Sequence, residues 1–249
     1  MKKSITLYLC LWLASIVAYS QNDTIQQGTT NKIIVSGAIS ATNNGISLVP
    51  AFSLEKPATI FDLAVRKNKF SFEPQLAFGL EDAKPWYFVF WLKYKLIESS
   101  KFNLGVGVHP GFLFSTSYLN VGGITKEYFT TARFFVGAIA PSYSLSKKVS
   151  IGIYYQLSRG YNIDLRQSQF LGINGNFSDL GLGGGLYVKI NPQIYYLKND
   201  NLDGFYANTS ITLSKKGFPF SISSLLNKKL NSDIPSKNFI WNTTLSYTF

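Results

Sequence analysis

The sequence predicts an all-β fold, a transmembrane antiparallel up-and-down β-barrel of about twelve strands. Three observations predict it. From about residue 45 to the end, residues alternate in period two, apolar on one face and polar on the other. Charged residues make up 15% and aromatics 16%, whereas ordinary soluble domains carry about 25% charged residues. Beyond the N-terminus no segment is an unbroken apolar run of the roughly 18 residues that a membrane helix needs. The apolarity is therefore spread by alternation, as a barrel spreads it.

The N-terminus supplies an address. Lys2 and Lys3 precede an uncharged stretch from 4 to 20 that ends in Ala18-Tyr19-Ser20. This pattern reads as a secretory signal cleaved before Gln21. The polar run that follows argues against a membrane anchor helix. Cys10 lies mid-run, six residues after Lys3, so it does not read as an acylated lipoprotein cysteine. It is also the one cysteine. The exported chain then has no disulfide, no thiol nucleophile and no cysteine metal site, and no cofactor or metal is expected. Charge runs to 24 basic against 13 acidic residues, and removing Lys2 and Lys3 leaves 22 against 13, or +9. Export argues against nucleic acid as the partner of this excess. Anionic lipid headgroups, polysaccharide and anionic solutes fit better. The domain reading is a signal peptide over 1–20, an N-terminal extension over 21–44 that continues the first strand or precedes it, and a barrel over 45–249.

The predicted strands are 45–54, 58–66, 69–80, 85–97, 101–116, 126–144, 148–159, 168–179, 184–198, 204–215, 218–228 and 239–249. In the last, Phe239, Trp241, Thr243, Leu245, Tyr247 and Phe249 share one face, with Asn242, Thr244, Ser246 and Thr248 on the other. Residues 84–96 put Trp86, Phe88, Phe90, Leu92 and Leu96 on a lipid face against Tyr87, Trp91, Lys93 and Lys95. A soluble sandwich also alternates, but its outer face is charged. Here the polar face is mostly Ser, Thr, Asn, Gln, Gly and Tyr, as a wet lumen requires. The turns at 66–69, 98–101, 146–148 and 214–217 are short and basic, placing them on the periplasmic side. Longer connections at 81–85, 117–125, 160–167, 199–203 and 229–238 belong outside. Pro50, Pro74, Pro110, Pro141 and Pro192 fall inside predicted strands and predict bulges or strand ends. Residues 33–41 also look strand-like, followed by the turn signal Asn43-Asn44-Gly45.

At its C-terminus the chain resembles outer-membrane barrels of Gram-negative bacteria. Leu245, Tyr247 and Phe249 match the terminal pattern of that class, an aromatic last residue preceded by alternating apolar ones. The resemblance implies recognition by the barrel-assembly machinery and residence in the outer membrane, among its lipid and lipopolysaccharide. Stretches at 71–74, 84–86, 191–198 and 218–223 give the chain the look of small, uncharacterised barrels of this class, and no activity comes with that likeness.

If the apolar faces meet lipid, the lumen receives Asp62, Arg66, Glu73, Lys93, Lys95, His109, Arg133 and Lys189, together with Glu55. Two readings follow. The group is an ion-pair network that plugs a narrow barrel, or it is a binding and constriction zone for a small charged solute. Of these the plug is the leading expectation. The rival from another class is an outer-membrane lipid-modifying enzyme, and His109, the one histidine, would have to carry it. Its neighbours are Val108 and Pro110 and the next serine is Ser115, so the spaced His and Ser of such enzymes are absent nearby. No catalytic residue is assigned. Gly105, Gly107 and Gly111 are expected to clear lumen space for rings such as Tyr87 and Trp91. The expected role is passive: a porin-like or structural barrel with a charged lumen.

Overall fold

The structure, a computed structural model, describes residues 32–121 and 124–249. The signal segment and residues 21–31 lie outside the described residues. Twelve strands follow in chain order: β1 (Ile34–Thr42), β2 (Ala58–Lys67), β3 (Phe70–Gly79), β4 (Pro85–Glu98), β5 (Phe102–Val121), β6 (Ile124–Ser144), β7 (Val149–Tyr161), β8 (Gln167–Gly183), β9 (Leu186–Asn199), β10 (Leu202–Lys215), β11 (Phe220–Ser232) and β12 (Phe239–Thr248). Each pairs antiparallel with its chain neighbours, and β1 pairs with β12. The sheet thus closes into a barrel and leaves no edge unpaired.

Alternation sets the two faces. Ile151, Ile153, Ile173, Ile194 and Ile222 stand on the outside at 46–66% exposure, a surface that water does not tolerate and lipid does. Phe70, Tyr94, Phe102, Tyr143, Phe220 and Tyr247 gather at the end that carries both termini and the short turns, an interfacial girdle. Inside, the wall is neutral and polar over much of its circumference. The Ser40 and Ser246 hydroxyls lie 2.8 Å apart, Asn191 Nδ2 donates to Asn176 Oδ1 at 2.7 Å, and Asn208 Nδ2 donates to Gln193 Oε1 at 2.8 Å.

The first strand is not where alternation put it. Residues 45–54 form no strand, and the barrel begins with Ile34–Thr42, inside the stretch read as an extension. β1 and β2 pair directly along their length, which leaves 43–57 as their connection. That connection folds into the lumen, with one turn of 3₁₀ helix at Pro50–Phe52. Its backbone bonds to itself, Gly45 N–H to Lys56 O at 2.8 Å and Leu54 N–H to Gly45 O at 2.9 Å. Its apolar side chains imitate a strand because they need apolar partners, and they find them on the inner wall.

Two clusters hold it there. Val49 packs with Phe170, Tyr195, Leu197, Tyr206 and Ile234, with Leu48 beside them. Leu54 packs on Ala58, Ala77 and Trp86. Stacked rings line the first cluster: Phe170 to Tyr195 at 4.7 Å and Tyr195 to Tyr206 at 5.0 Å between centroids. The Tyr195 hydroxyl donates to Leu48 O at 3.3 Å. On the opposite wall the Phe52 ring stacks on Phe134 at 5.5 Å, and the Trp86 indole N–H donates to Phe52 O at 2.9 Å.

Trp86 therefore lies in the lumen at 3% exposure, not on the lipid face. A bulge explains it. Ala77 pairs with Tyr87 while Phe78 pairs with Pro85, so Trp86 is the extra residue and both rings turn inward. The prolines behave more mildly than expected. Pro74, Pro110, Pro141 and Pro192 each leave a gap in the ladder toward one neighbouring strand and keep continuous pairing with the other. One missing N–H has that one-sided effect. Pro50 lies in the inward loop. The long connections expected at 117–125 and 199–203 are also shorter, because β5 runs to Val121, β6 begins at Ile124, and only Asp200-Asn201 separates β9 from β10.

Candidate functional site

Beneath the inward loop, on the side of the short turns, the lumen opens into a cavity of about 620 Å³. Its charged wall comes from β2, β3 and β4, where alternation points Arg66, Glu73, Lys93 and Lys95 to one side. Glu73 sits between two cations. Its Oε1 accepts from Arg66 Nη2 at 3.1 Å and its Oε2 accepts from Lys93 Nζ at 2.6 Å. Lys93 also lies 5.4 Å above the Trp91 ring, a cation–π distance. Lys95 pairs with Glu98 at 2.5 Å near the rim. Five cationic residues line this cavity, Lys32, Arg66, Lys69, Lys93 and Lys95, against one carboxylate, Glu73.

Asp62 belongs to a second relay higher on the same wall. Gln75 Nε2 donates to Asp62 Oδ1 at 2.5 Å, and the Tyr87 hydroxyl donates to Gln75 Oε1 at 2.6 Å. Gln75 is a member that sequence reasoning missed, since a lone glutamine among aromatics carries no signal until its strand neighbours are known. Trp91 keeps its place because Gly107 faces it: a Cβ there would lie 3.1 Å from the indole. Gly111 makes room for Phe134 instead, and nothing stands over Gly105. The far wall is small and smooth, formed by Ala138, Ala140 and Tyr154.

The sequence-predicted group does not stay together. Asp62, Arg66, Glu73, Lys93 and Lys95 share the β2–β4 wall, and Lys189 projects into the lumen from β9 beside Asn191. Glu55 lies in the inward loop and pairs with Lys237 at 2.6 Å, tying that loop to the β11–β12 connection. Arg133 is not in the lumen. Phe134 turns inward onto Phe52 and His109, so Arg133 faces out, where its backbone N–H and Nε both donate to Asn162 Oδ1. The charged residues line an open cavity, and the filling of the barrel is the apolar loop above them. This corrects the expectation that the ion pairs themselves form the plug.

His109 is 4% exposed, with its ring 4.2 Å from that of Trp91 and 6.0 Å from that of Phe134. Its Nδ1 meets the carbonyl oxygen of Pro110 at 3.1 Å. Trp91, His109, Phe134 and Phe52 thus form a continuous run of rings from the cavity to the loop. Among the described residues no group of three or more His, Cys, Asp and Glu side chains gathers as a metal site. At the mouth, beyond the membrane-crossing part, the hydrogen bond from Lys84 to Glu127 raises the pKa of that ammonium. The terminal residues Leu245, Tyr247 and Phe249 all lie on the outer face. A Cβ at Gly37 would stand 2.6 Å from the Phe249 ring, so glycine there lets the last side chain lie flat on the barrel wall.

A closed barrel of twelve antiparallel strands with an apolar outer band and a polar inner wall is the architecture of a membrane-spanning β-barrel. No protein-family model and no curated protein matches the chain. Solved structures do. The KdgM porin in complex with disordered oligogalacturonate superposes with a TM-score of 0.51 at 10% identity, over 86% of this chain and 98% of that one. The NanC porin gives 0.51 at 9% identity, over 85% and 97%. LpxR from Salmonella typhimurium gives 0.50 at 11% identity, over 86% and 99%. At such identities the likeness is one of fold.

Proposed function

We propose that this chain is exported to the bacterial outer membrane and acts there as a porin-like barrel. Its lumen takes small polar solutes of net negative charge. The carrying observation is the cavity below the loop, where Arg66, Lys69, Lys93 and Lys95 stand against two carboxylates, Glu73 and the Glu98 that pairs with Lys95, around an indole face. A surplus of fixed positive charge in a narrow lumen concentrates anions by several kT of local potential. The loop 43–57 is the constriction, held on one wall by the Phe52–Phe134 stack and the Trp86 bond to Phe52 O, and on the other by the packing of Val49 and the Tyr195 bond to Leu48 O. His109 supports this reading as a packing residue, since its neighbours are rings and its polar contact is a backbone carbonyl.

Planar-bilayer recording tests it. The mature chain should give small, anion-preferring steps, and replacing 46–54 by a short glycine–serine linker should enlarge them. Cation preference in both forms would contradict the solute reading. Absence of steps even without the loop would show a sealed, structural barrel.

A further inference from the structure

Arginine is scarce in this chain: Arg66, Arg133, Arg159 and Arg166 are the whole set. Arg133 in β6 and Arg159 near the end of β7 stand on the outer face, and Arg166 lies in the connection from β7 to β8, opposite the short turns. Across β6 and β7, Arg133 faces Tyr161 and Phe135 faces Arg159, and across β7 and β8, Arg159 faces Gln167. Arg133 and Arg159 are therefore diagonal neighbours on one face, about 7–8 Å apart at the backbone and within joint reach of one ligand. Arg159 and Arg166 line a groove of about 520 Å³ with Tyr161, Asn162 and Asp164. Asn162 also accepts from Arg133 Nε at 3.3 Å, which turns that guanidinium toward the groove.

No carboxylate forms an ion pair with any of the three guanidiniums among the described residues. Asp164 lines the groove, and Asp200 spends its oxygens on the backbone N–H groups of Arg166 and Gln167 at 3.1 and 2.8 Å. Elsewhere around the same rim Lys84, Lys237 and Lys56 pair with Glu127, Glu55 and Glu81, while Lys126, Lys198 and Lys228 stand apart as single cations. The arginine sector differs in gathering guanidiniums side by side. Below it the outer wall is apolar apart from Gln169, with Phe135, Tyr155, Leu157, Leu171 and Ile173 at 37–66% exposure. Guanidinium groups above and an apolar column beneath match a molecule with a phosphate at one end and acyl chains at the other. Arginine suits the phosphate end because its planar fork donates in pairs to phosphate oxygens.

We infer that this groove binds the phosphate headgroup of an anionic lipid in the leaflet that surrounds the rim, with the acyl chains lying along β6–β8. The inference rests on the outer-membrane reading. A free anion is disfavoured because Arg133 and Arg159 stand on the outer face, next to the apolar wall, rather than in the lumen.

The test uses the full mature chain folded in detergent, with phosphorylated lipid A and its dephosphorylated form as probes and native mass spectrometry as the readout. The wild type should retain the phosphorylated lipid at least about tenfold more tightly, and Arg159→Gln or Arg133→Gln should each remove about a factor of ten. Arg159→Lys should fall between, because it keeps charge and loses the fork. Lys147→Gln, in the turn at the far end, should behave as wild type. Heat-modifiable migration on gels verifies that each variant is folded, and the single substitutions keep the test readable if a triple variant does not fold. Equal retention of both lipids by an inserted barrel would overturn the groove alone. Displacement of the lipid by inorganic phosphate as strong as by lipid itself would overturn the lipid assignment. A wild-type chain that never inserts into vesicles would remove the membrane reading, and the groove with it.

Discussion

Replacing Phe52 by alanine should loosen the constriction and leave the barrel intact. The ring stacks on Phe134 at 5.5 Å with an interplanar angle of 16°, and the same residue offers the carbonyl that Trp86 holds. Truncating a fully buried phenylalanine costs about 3–5 kcal/mol. Phe52 is half-buried, so its loss should cost the docked loop ~2 kcal/mol, including about 1 kcal/mol of ring stacking. The barrel ladder does not involve this residue, and that cost falls on the docked against the undocked loop. A shift of ~2 kcal/mol multiplies the undocked population about 30-fold. Single-channel recording should then show more frequent or longer large-conductance intervals in Phe52→Ala, with an unchanged small state. A double-mutant cycle with Phe134→Ala should return a coupling of about 1 kcal/mol in the open–closed equilibrium. Identical opening statistics in wild type and Phe52→Ala would refute the argument that this stack closes the lumen.

Three further outcomes are expected. Glu73→Gln should cost little stability, ~1 kcal/mol or less per pair because the Arg66 and Lys93 side chains are 48% and 44% exposed. It should also increase anion preference in the reversal potential, and a loss of about 3–5 kcal/mol in thermal unfolding would instead mark Glu73 as dry. Spin labels on single cysteines at Ile151, Ile153, Val188 and Ile190 should be relaxed by a lipid-phase quencher, and those at Ser150, Tyr154, Lys189, Asn191 and Trp86 by an aqueous one. Exchange of the two sets would mean a register error of one residue. Deleting Phe249 should lower the yield of heat-modifiable barrel in outer-membrane fractions, and normal yield would show that the terminal ring is dispensable for assembly.

Most strand positions were legible because lipid on one side and water on the other enforce alternation residue by residue, and the count of twelve came out right because the false strand 45–54 stood in for β1. What escaped had one cause. The sequence reading took polar residues to face in and apolar residues to face out along the whole height of the barrel. That holds for Lys93 and Asn191. It fails near the inward loop, where the lumen itself is apolar and calls for Phe134, Phe170 and Leu197 on the inner face. At Arg133-Phe134 the rule therefore chose the wrong member of the pair. Residues 45–54 failed for the same reason, since a segment that buries Ile46, Leu48 and Val49 inside a barrel carries the pattern of a strand. Trp86 was hidden by a bulge, which alternation cannot express. The short β1 had a weak signal, because Ser36, Gly37, Ala38 and Ser40 give its two faces little contrast.

The seam where β1 meets β12 has a consequence for how the molecule comes together. Ser40 and Ser246 touch across it although 206 residues separate them, whereas the other strand pairs are hairpin neighbours. Closing so long a segment gives no return until both ends are in place, so this joint is expected to form last. The loop that fills the lumen begins at Asn43, directly after the strand that must make that final joint. Its apolar residues meet the inner wall most readily while the sheet is still an open, curved ribbon, and β1 then swings in behind them. The closing stave of the barrel carries its own stopper.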